Sequence, residues 1–369
     1  MKKPILKKIH ITLMIISLIL IGHITGSSII TADENTPLLR VETDNKTGEG
    51  KYDTNIEYRS GAMANMTAFK DASAAKGNMI YTADTKIWDV IDDPSFKEYG
   101  RLIFPAHMTI NKSRTLREVD SILPWYNYVN LDSTVKIANY MKTRAEAGEQ
   151  IFYDIYTNKE KSDDSAKKNT GLFFFRGKRG AKFAIVNAGG GFIYVGAMHD
   201  SFPHALELSK KGYNAFALIY RPGARTACED LARAIAYIHK HAHELGVDKT
   251  DYSLWGGSAG ARMAAWLGSY GTAAFGEVQY PRPGAVIMQY TGLSEVNVKE
   301  PPTYACVGTG DGIASYRVME SRIKRIKANG TDAQIEIFNE LPHGFGLGEG
   351  TVANGWTDRA VQFWEKQMK

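Results

Sequence analysis

One serine in this chain stands where its oxygen could act as a nucleophile. The apolar run Tyr252-Ser253-Leu254-Trp255 passes through Gly256-Gly257-Ser258-Ala259-Gly260 directly into a helix-forming stretch. A G-x-S-x-G between strand and helix makes a sharp, strained turn that holds the serine hydroxyl outward, and a Cβ at Gly256 or Gly260 would crowd it. The following helix aims its N-terminal N–H groups at the serine, which favours negative charge developing there. Such an alcohol attacks acyl carbonyls once a base removes its proton.

The base and its orienting acid are sought later in the chain, each on a loop at the end of a strand. Asp311 follows the apolar run 303–308 in Gly308-Thr309-Gly310-Asp311-Gly312, and His343 follows the last strand-like run in Leu341-Pro342-His343-Gly344. Asp311 comes 53 residues after Ser258 and His343 another 32 after that, room for one strand and one helix each time. Alone, Asp311 also fits a turn-capping aspartate and His343 a surface loop histidine. Their order and strand-end placement favour a triad of Ser258, His343 as base, and Asp311.

A third element is Asn187-Ala188-Gly189-Gly190-Gly191-Phe192, about seventy residues before the serine. Bare consecutive glycines let backbone N–H groups approach a substrate and stabilise a tetrahedral oxyanion, where losing one donor costs roughly 3 kcal/mol. A phosphate loop fits less well: G-x-G-x-x-G counted from Gly189 ends on Tyr194, and no G-x-x-x-x-G-K is present. A flexible turn remains the plain alternative.

His239, His241 and His243 alternate along an expected helix, so they share no face; this reads as a solvated helix end, with no metal site. Trp125, Tyr126, Phe192 and Tyr194 could line an acyl or sugar pocket, although core packing also explains aromatics.

The elements that must position these residues emerge after Gly148, where short apolar runs alternate with longer amphipathic stretches, the pattern of a mostly parallel sheet wrapped by crossover helices. Strands are expected at 150–156, 171–176, 182–187, 215–220, 252–255, 285–290, 303–308 and 334–338. Helices are expected at 201–211, 228–244, 259–267, 313–329 and 356–369, with 158–170 a solvated hairpin loop. Ahead of them, residues 80–144 carry enough aromatic and apolar residues for a folded cap, including a helix at 132–147 N-capped by Asp132 or Ser133. Residues 36–76 are polar and lack an apolar period, as in a loosely ordered extension. The division expected is a leader at 1–32, an N-terminal extension or cap at 33–149 and a catalytic domain at 150–369.

Composition places 369 residues, 44% hydrophobic and 23% charged, among ordinary globular proteins. Lys2, Lys3, Lys7 and Lys8 precede the apolar stretch 11–21, the layout of a secretory signal peptide; no A-x-A cleavage site follows, which leaves a surface-bound, uncleaved signal anchor open. No cysteine lies in the leader to carry a lipid anchor. The net charge is +5, and four of those charges are leader lysines, so the remainder is nearly neutral and suggests no nucleic-acid partner. Pairing of the two cysteines, Cys228 and Cys306, stays open, since buried free thiols are common.

At its three motifs the chain resembles the esterase/lipase family of α/β hydrolases related to hormone-sensitive lipase, and within it the bacterial acetyl esterase and acetyl xylan esterase branch. The resemblance covers residues 150–369 and includes Phe202-Pro203-His204-Ala205-Leu206-Glu207-Leu208, Gly212-Tyr213, Tyr220-Arg221-Pro222 and Asp230-Leu231-Ala232. It implies an α/β-hydrolase fold, no cofactor, and oxyanion donors at the N–H groups of Gly190, Gly191 and Ala259. Ala188 departs from the family's His-Gly-Gly-Gly, which alters the support of that loop but not its backbone donors.

The expectation is therefore a secreted serine carboxylesterase acting on short-chain acyl esters of small molecules or glycans, acetylated xylan among them. A peptidase of the prolyl oligopeptidase type shares the triad order but usually brings a repeated propeller, and no repeat is visible. A lipase would need a large apolar lid, for which residues 101–130 are an ambiguous candidate. An inactive binding protein on the same fold would not need all three triad types. Oligomeric state is not legible in the sequence.

Overall fold

The computed structural model describes residues 80–369, and an eight-stranded, mostly parallel sheet forms its centre. The strands are β1 (Phe152–Tyr153), β2 (Gly171–Phe175), β3 (Lys182–Asn187), β4 (Asn214–Ile219), β5 (Asp248–Gly257), β6 (Ala285–Gln289), β7 (Thr303–Gly308) and β8 (Ala333–Phe338). They lie in the order β1-β2-β4-β3-β5-β6-β7-β8. β2 pairs antiparallel with β1 and with β4; all other neighbours are parallel. β2, β4, β6 and β7 are buried at every residue. Strands covered on both faces read as continuous apolar runs, which is why the sequence located them.

The longer helices are α1 (Leu131–Glu146), α2 (Phe202–Lys210), α3 (Ala224–Lys240), α4 (Ala259–Tyr270), α5 (Tyr316–Ala328) and α6 (Trp356–Gln367). α2, α3 and α4 each return the chain between successive parallel strands, and α5 does so from β7 to β8. This connectivity puts the loops after β3, β5, β7 and β8 at the carboxyl edge of the sheet, where open α/β sheets bind ligands.

Ahead of β1 come a short helix (Ile87–Ile91), two 3-10 segments (Pro94–Ile103 and Leu116–Ile122) and α1. They pack on the β1–β2 edge of the sheet: Tyr99 stacks on Phe152 at 5.0 Å, Tyr140 on Phe175 at 5.6 Å, and Phe96, Ile103 and Val119 join the core of the sheet. The leader and the expected extension at 36–76 lie outside the described residues.

Several expectations change. α1 is capped by Asn130, whose side chain accepts from the Ser133 amide at 3.0 Å, so Asp132 and Ser133 belong to the first turn. Segment 158–170 is no hairpin loop: Thr157 and Glu160 form a capping box over a helix at Asn158–Asp163, and Asp164 caps a 3-10 turn at Ser165–Asn169. None of these residues is buried, so the helix left no apolar period to find. The helix expected at 228–244 starts earlier, at Ala224, and breaks at His241 before a short helix at Ala242–Leu245.

His239 is buried rather than solvated, packed among Phe183, Tyr252 and Tyr280, and burial lowers its pKa to about 4. Cys228 and Cys306 are both free and buried, and burial raises both thiol pKa values. That resolves the pairing in favour of two separate thiols.

Candidate active site

Ser258 sits at the junction of β5 and α4 with φ 52° and ψ −115°, a strained left-handed conformation for a residue bearing a Cβ. Its amide donates to the Gln289 carbonyl at 3.0 Å, tying the turn to β6. The turn is tight because α4 runs against the end of β3: a Cβ on Gly260 would fall 1.9 Å from the Asn187 carbonyl oxygen.

The structure brings Ser258, His343 and Asp311 together. His343 Nε2 lies 3.2 Å from Ser258 Oγ, and His343 Nδ1 lies 2.8 Å from Asp311 Oδ2. The other Asp311 oxygen accepts from the amides of Ile313 and Ala314 at 2.8 and 2.7 Å, which fixes the carboxylate. The Asp311 side chain has no exposed surface and His343 is 4% exposed, so the pair interacts away from bulk water. Tyr290 meets the His343 ring edge-on at 4.9 Å. Two further bonds hold the histidine loop: Asn127 Nδ2 donates to the His343 carbonyl at 2.7 Å, and His199 Nε2 lies 2.9 Å from the Gly344 carbonyl. Burial lowers the His199 pKa to about 4, so the ring is neutral and donates from Nε2.

The glycine strip faces the serine from the end of β3. Gly189, Gly190 and Gly191 differ in what their N–H groups do. The Gly189 amide donates to Asp200 Oδ2 at 2.7 Å, whereas among the described residues those of Gly190 and Gly191 have no acceptor. Ala259 is the first residue of α4, where an amide has no intrahelical acceptor. The three donors expected from the sequence are thus unoccupied. The strip also packs tightly on the serine: a Cβ on Gly189 would lie 2.8 Å from Ser258 Cβ.

Asp200 is a site residue that sequence reasoning missed. It is fully buried beneath the strip and accepts from the Gly189 amide, from Tyr126 Oη at 3.0 Å and from Tyr290 Oη. Burial raises its pKa to about 6 against the opposing effect of these donors. A lone aspartate in the short helix Ala197–Asp200 carries no motif, so nothing in the sequence marked it. Asn127 was equally silent.

The aromatics named from the sequence divide. Trp125 is part-buried over Gly191, and Phe192 is part-buried and stacked on Trp266 at 6.1 Å. Tyr194 is 1% exposed; it stacks on Trp125 at 5.7 Å and donates to the Pro124 carbonyl, so it braces the strip from beneath. Tyr126 reaches Asp200 instead of an open pocket.

A hydroxyl hydrogen-bonded to an imidazole, an imidazole oriented by a carboxylate, and free N–H donors opposite the hydroxyl form an arrangement able to carry out acyl transfer. Among the described residues no cluster of three or more His, Cys, Asp or Glu could hold a metal, and no helix is long and apolar enough to cross a membrane.

Comparison with known proteins agrees with this fold. Residues 176–283 match the BD-FAE family model. The chain has no match among curated proteins. A solved acetyl ester-xyloside bifunctional hydrolase from Caldicellulosiruptor lactoaceticus superposes with a TM-score of 0.51 at 20% identity, over 58% of this chain and 95% of that one. Esterase 2 of Thermogutta terrifontis gives 0.45 at 21% identity, over 53% and 89%. MGS-M1, an α/β hydrolase enzyme from a Medee basin deep-sea metagenome library, gives 0.45 at 19% identity, over 54% and 92%. The chain has the α/β-hydrolase fold.

Proposed function

We propose that this α/β-hydrolase-fold protein is a serine carboxylesterase for short-chain acyl esters, with Ser258 as nucleophile, His343 as general base and acid, and Asp311 as the group that orients it. The observation that carries the reading is the hydrogen-bonded chain Asp311–His343–Ser258, with Ser258 on a strained turn opposite unoccupied N–H donors. His343 Nε2 takes the Ser258 proton as Oγ adds to the ester carbonyl. The oxyanion receives hydrogen bonds from Gly190, Gly191 and Ala259. Collapse expels the alcohol with the proton returned by His343. Water, deprotonated by His343, then attacks the acyl-enzyme and frees the acid and Ser258.

The Lys-rich and apolar layout of residues 1–32 supports export, and we take residues 33–149 as an extension or cap ahead of a catalytic domain at 150–369. For an exported enzyme, acetyl groups on xylan or a similar glycan are a natural substrate, a choice supported by the acetyl ester-xyloside activity named for one similar structure.

The test is turnover of p-nitrophenyl acetate, butyrate and octanoate by protein lacking residues 1–32, with Ser258→Ala alongside. We expect acetate or butyrate to be preferred and the alanine variant to lose 10³-fold or more. Turnover that survives Ser258→Ala would dismiss the assignment.

A further inference from the structure

Helix α4 carries a cation that the reaction above does not use. Arg262 lies four residues after Ser258, one turn along the same face, and its amide donates to the Ser258 carbonyl at 3.4 Å. Its side chain is half-buried and, among the described residues, makes no hydrogen bond and no ion pair. The two acids of the loop after β6 are committed elsewhere. Glu295 accepts from Tyr270 Oη and from Trp266 Nε1 at 3.4 Å, while Glu300 pairs with Arg322 in the core at 2.8 Å. Burial lowers the Arg262 pKa from the usual arginine value, and no neighbouring acid raises it again.

One contact places the guanidinium, and a second places the helix face it shares. A Cβ on Gly292 would lie 3.5 Å from Arg262 Nη2, so the charge borders the loop after β6, three residues beyond the Gln289 carbonyl that receives the Ser258 amide. One turn further along the same face of α4, Trp266 stacks on Phe192, the residue that follows Gly191 in the glycine strip. Arg262 therefore stands one helical turn from Ser258 on α4, its guanidinium against the Gly292 loop, and Trp266 one turn further on reaches the residue that follows the strip.

A guanidinium removed from part of its water without a counter-charge is a cost to the fold, and its planar fork matches a carboxylate in bidentate fashion. We propose that Arg262 receives a carboxylate of the substrate, so that the preferred esters are anionic. Resting on the esterase reading above, this narrows the substrate class to esters that also bear a carboxylate. Two sources supply that chemistry: a hemiester of a dicarboxylic acid, or an acyl group carried on a uronic acid.

The experiment measures kcat/KM for p-nitrophenyl hemiglutarate against p-nitrophenyl butyrate, and for acetylated methyl glucuronide against acetylated methyl glucoside. The intact protein is compared with Arg262→Gln, Arg262→Met and Arg262→Lys. The anionic-to-neutral ratio should exceed one in the intact protein and fall about tenfold or more in Arg262→Gln and Arg262→Met, through KM. Arg262→Lys should recover part of it. The arm that responds identifies which half of the ester carries the charge, and a ratio equal in intact and variant proteins in both arms overturns the proposal.

Thermal shift by glutarate and glucuronate on Ser258→Ala protein, with and without Arg262→Gln, separates the two readings. Arg262-dependent carboxylate binding without hydrolysis of any ester leaves this assignment standing and removes the esterase. Hydrolysis with neither binding nor preference does the reverse.

Discussion

Asn127 donates from Nδ2 to the main-chain carbonyl of His343 at 2.7 Å, a bond between residues 216 positions apart. It joins the segment ahead of the sheet to the loop carrying the general base. Removing it frees the His343 loop on one side while the triad side chains stay in place. We expect Asn127→Ala to lose about 1 kcal/mol of stability and about tenfold in kcat, read by urea denaturation and by butyrate turnover. Lower stability with kcat unchanged would make Asn127 a staple only.

Gly189 admits no side chain. A Cβ there would meet Ser258 Cβ and Tyr126 Oη at 2.8 Å and the Gly257 carbonyl oxygen at 2.9 Å. Gly189→Ala must push the strip away from the serine and its donors off the oxyanion. A loss of about 10²-fold in kcat is expected, in line with removal of an oxyanion donor. Steady-state kinetics on folded protein checks it, and a wild-type kcat would refute the donor placement.

Asp200 gives the fold a pH dependence. Burial raises its pKa from the ordinary aspartate value of 3.8 to about 6, so the folded state resists its ionisation more than the unfolded chain does. The stability linked to Asp200 is therefore fully present below about pH 3.8 and is lost as pH rises through about 6. Asp200→Asn should flatten the dependence of Tm on pH between those values relative to the intact protein. Parallel profiles for the two proteins would count against a raised Asp200 pKa.

Arg322 and Glu300 form an ion pair at 2.8 Å with side chains 2% and 4% exposed. Deleting one partner strands a buried charge, so Arg322→Ala should cost about 3–5 kcal/mol. Replacing both by apolar residues, Arg322→Met with Glu300→Leu, should cost much less. Chemical denaturation of the single and double variants measures the difference, and equal losses would show that the charge is not what the single variant strands.

The sequence by itself determined which residue types could do the chemistry and in what order they come. G-x-S-x-G between strand and helix requires a strained serine, and Ser258 is strained. The buried strands were legible because strands covered on both faces must be apolar throughout; Lys182–Asn187 and Thr303–Gly308 have the expected ends. The helix at Asn158–Asp163 was not legible, because capping and charge hold it without a buried face.

Tertiary structure alone decided the rest, because hydrogen bonds and charge compensation between distant residues leave no periodic trace in the chain. Only the folded protein sets Asp200 beneath Gly189, ties Asn127 to His343, buries His239, separates Cys228 from Cys306 and leaves Arg262 without an acid. Local sequence fixes the conformation of a turn or a strand through sterics and burial pattern, whereas the partner a polar group finds depends on which loops the sheet brings to one edge.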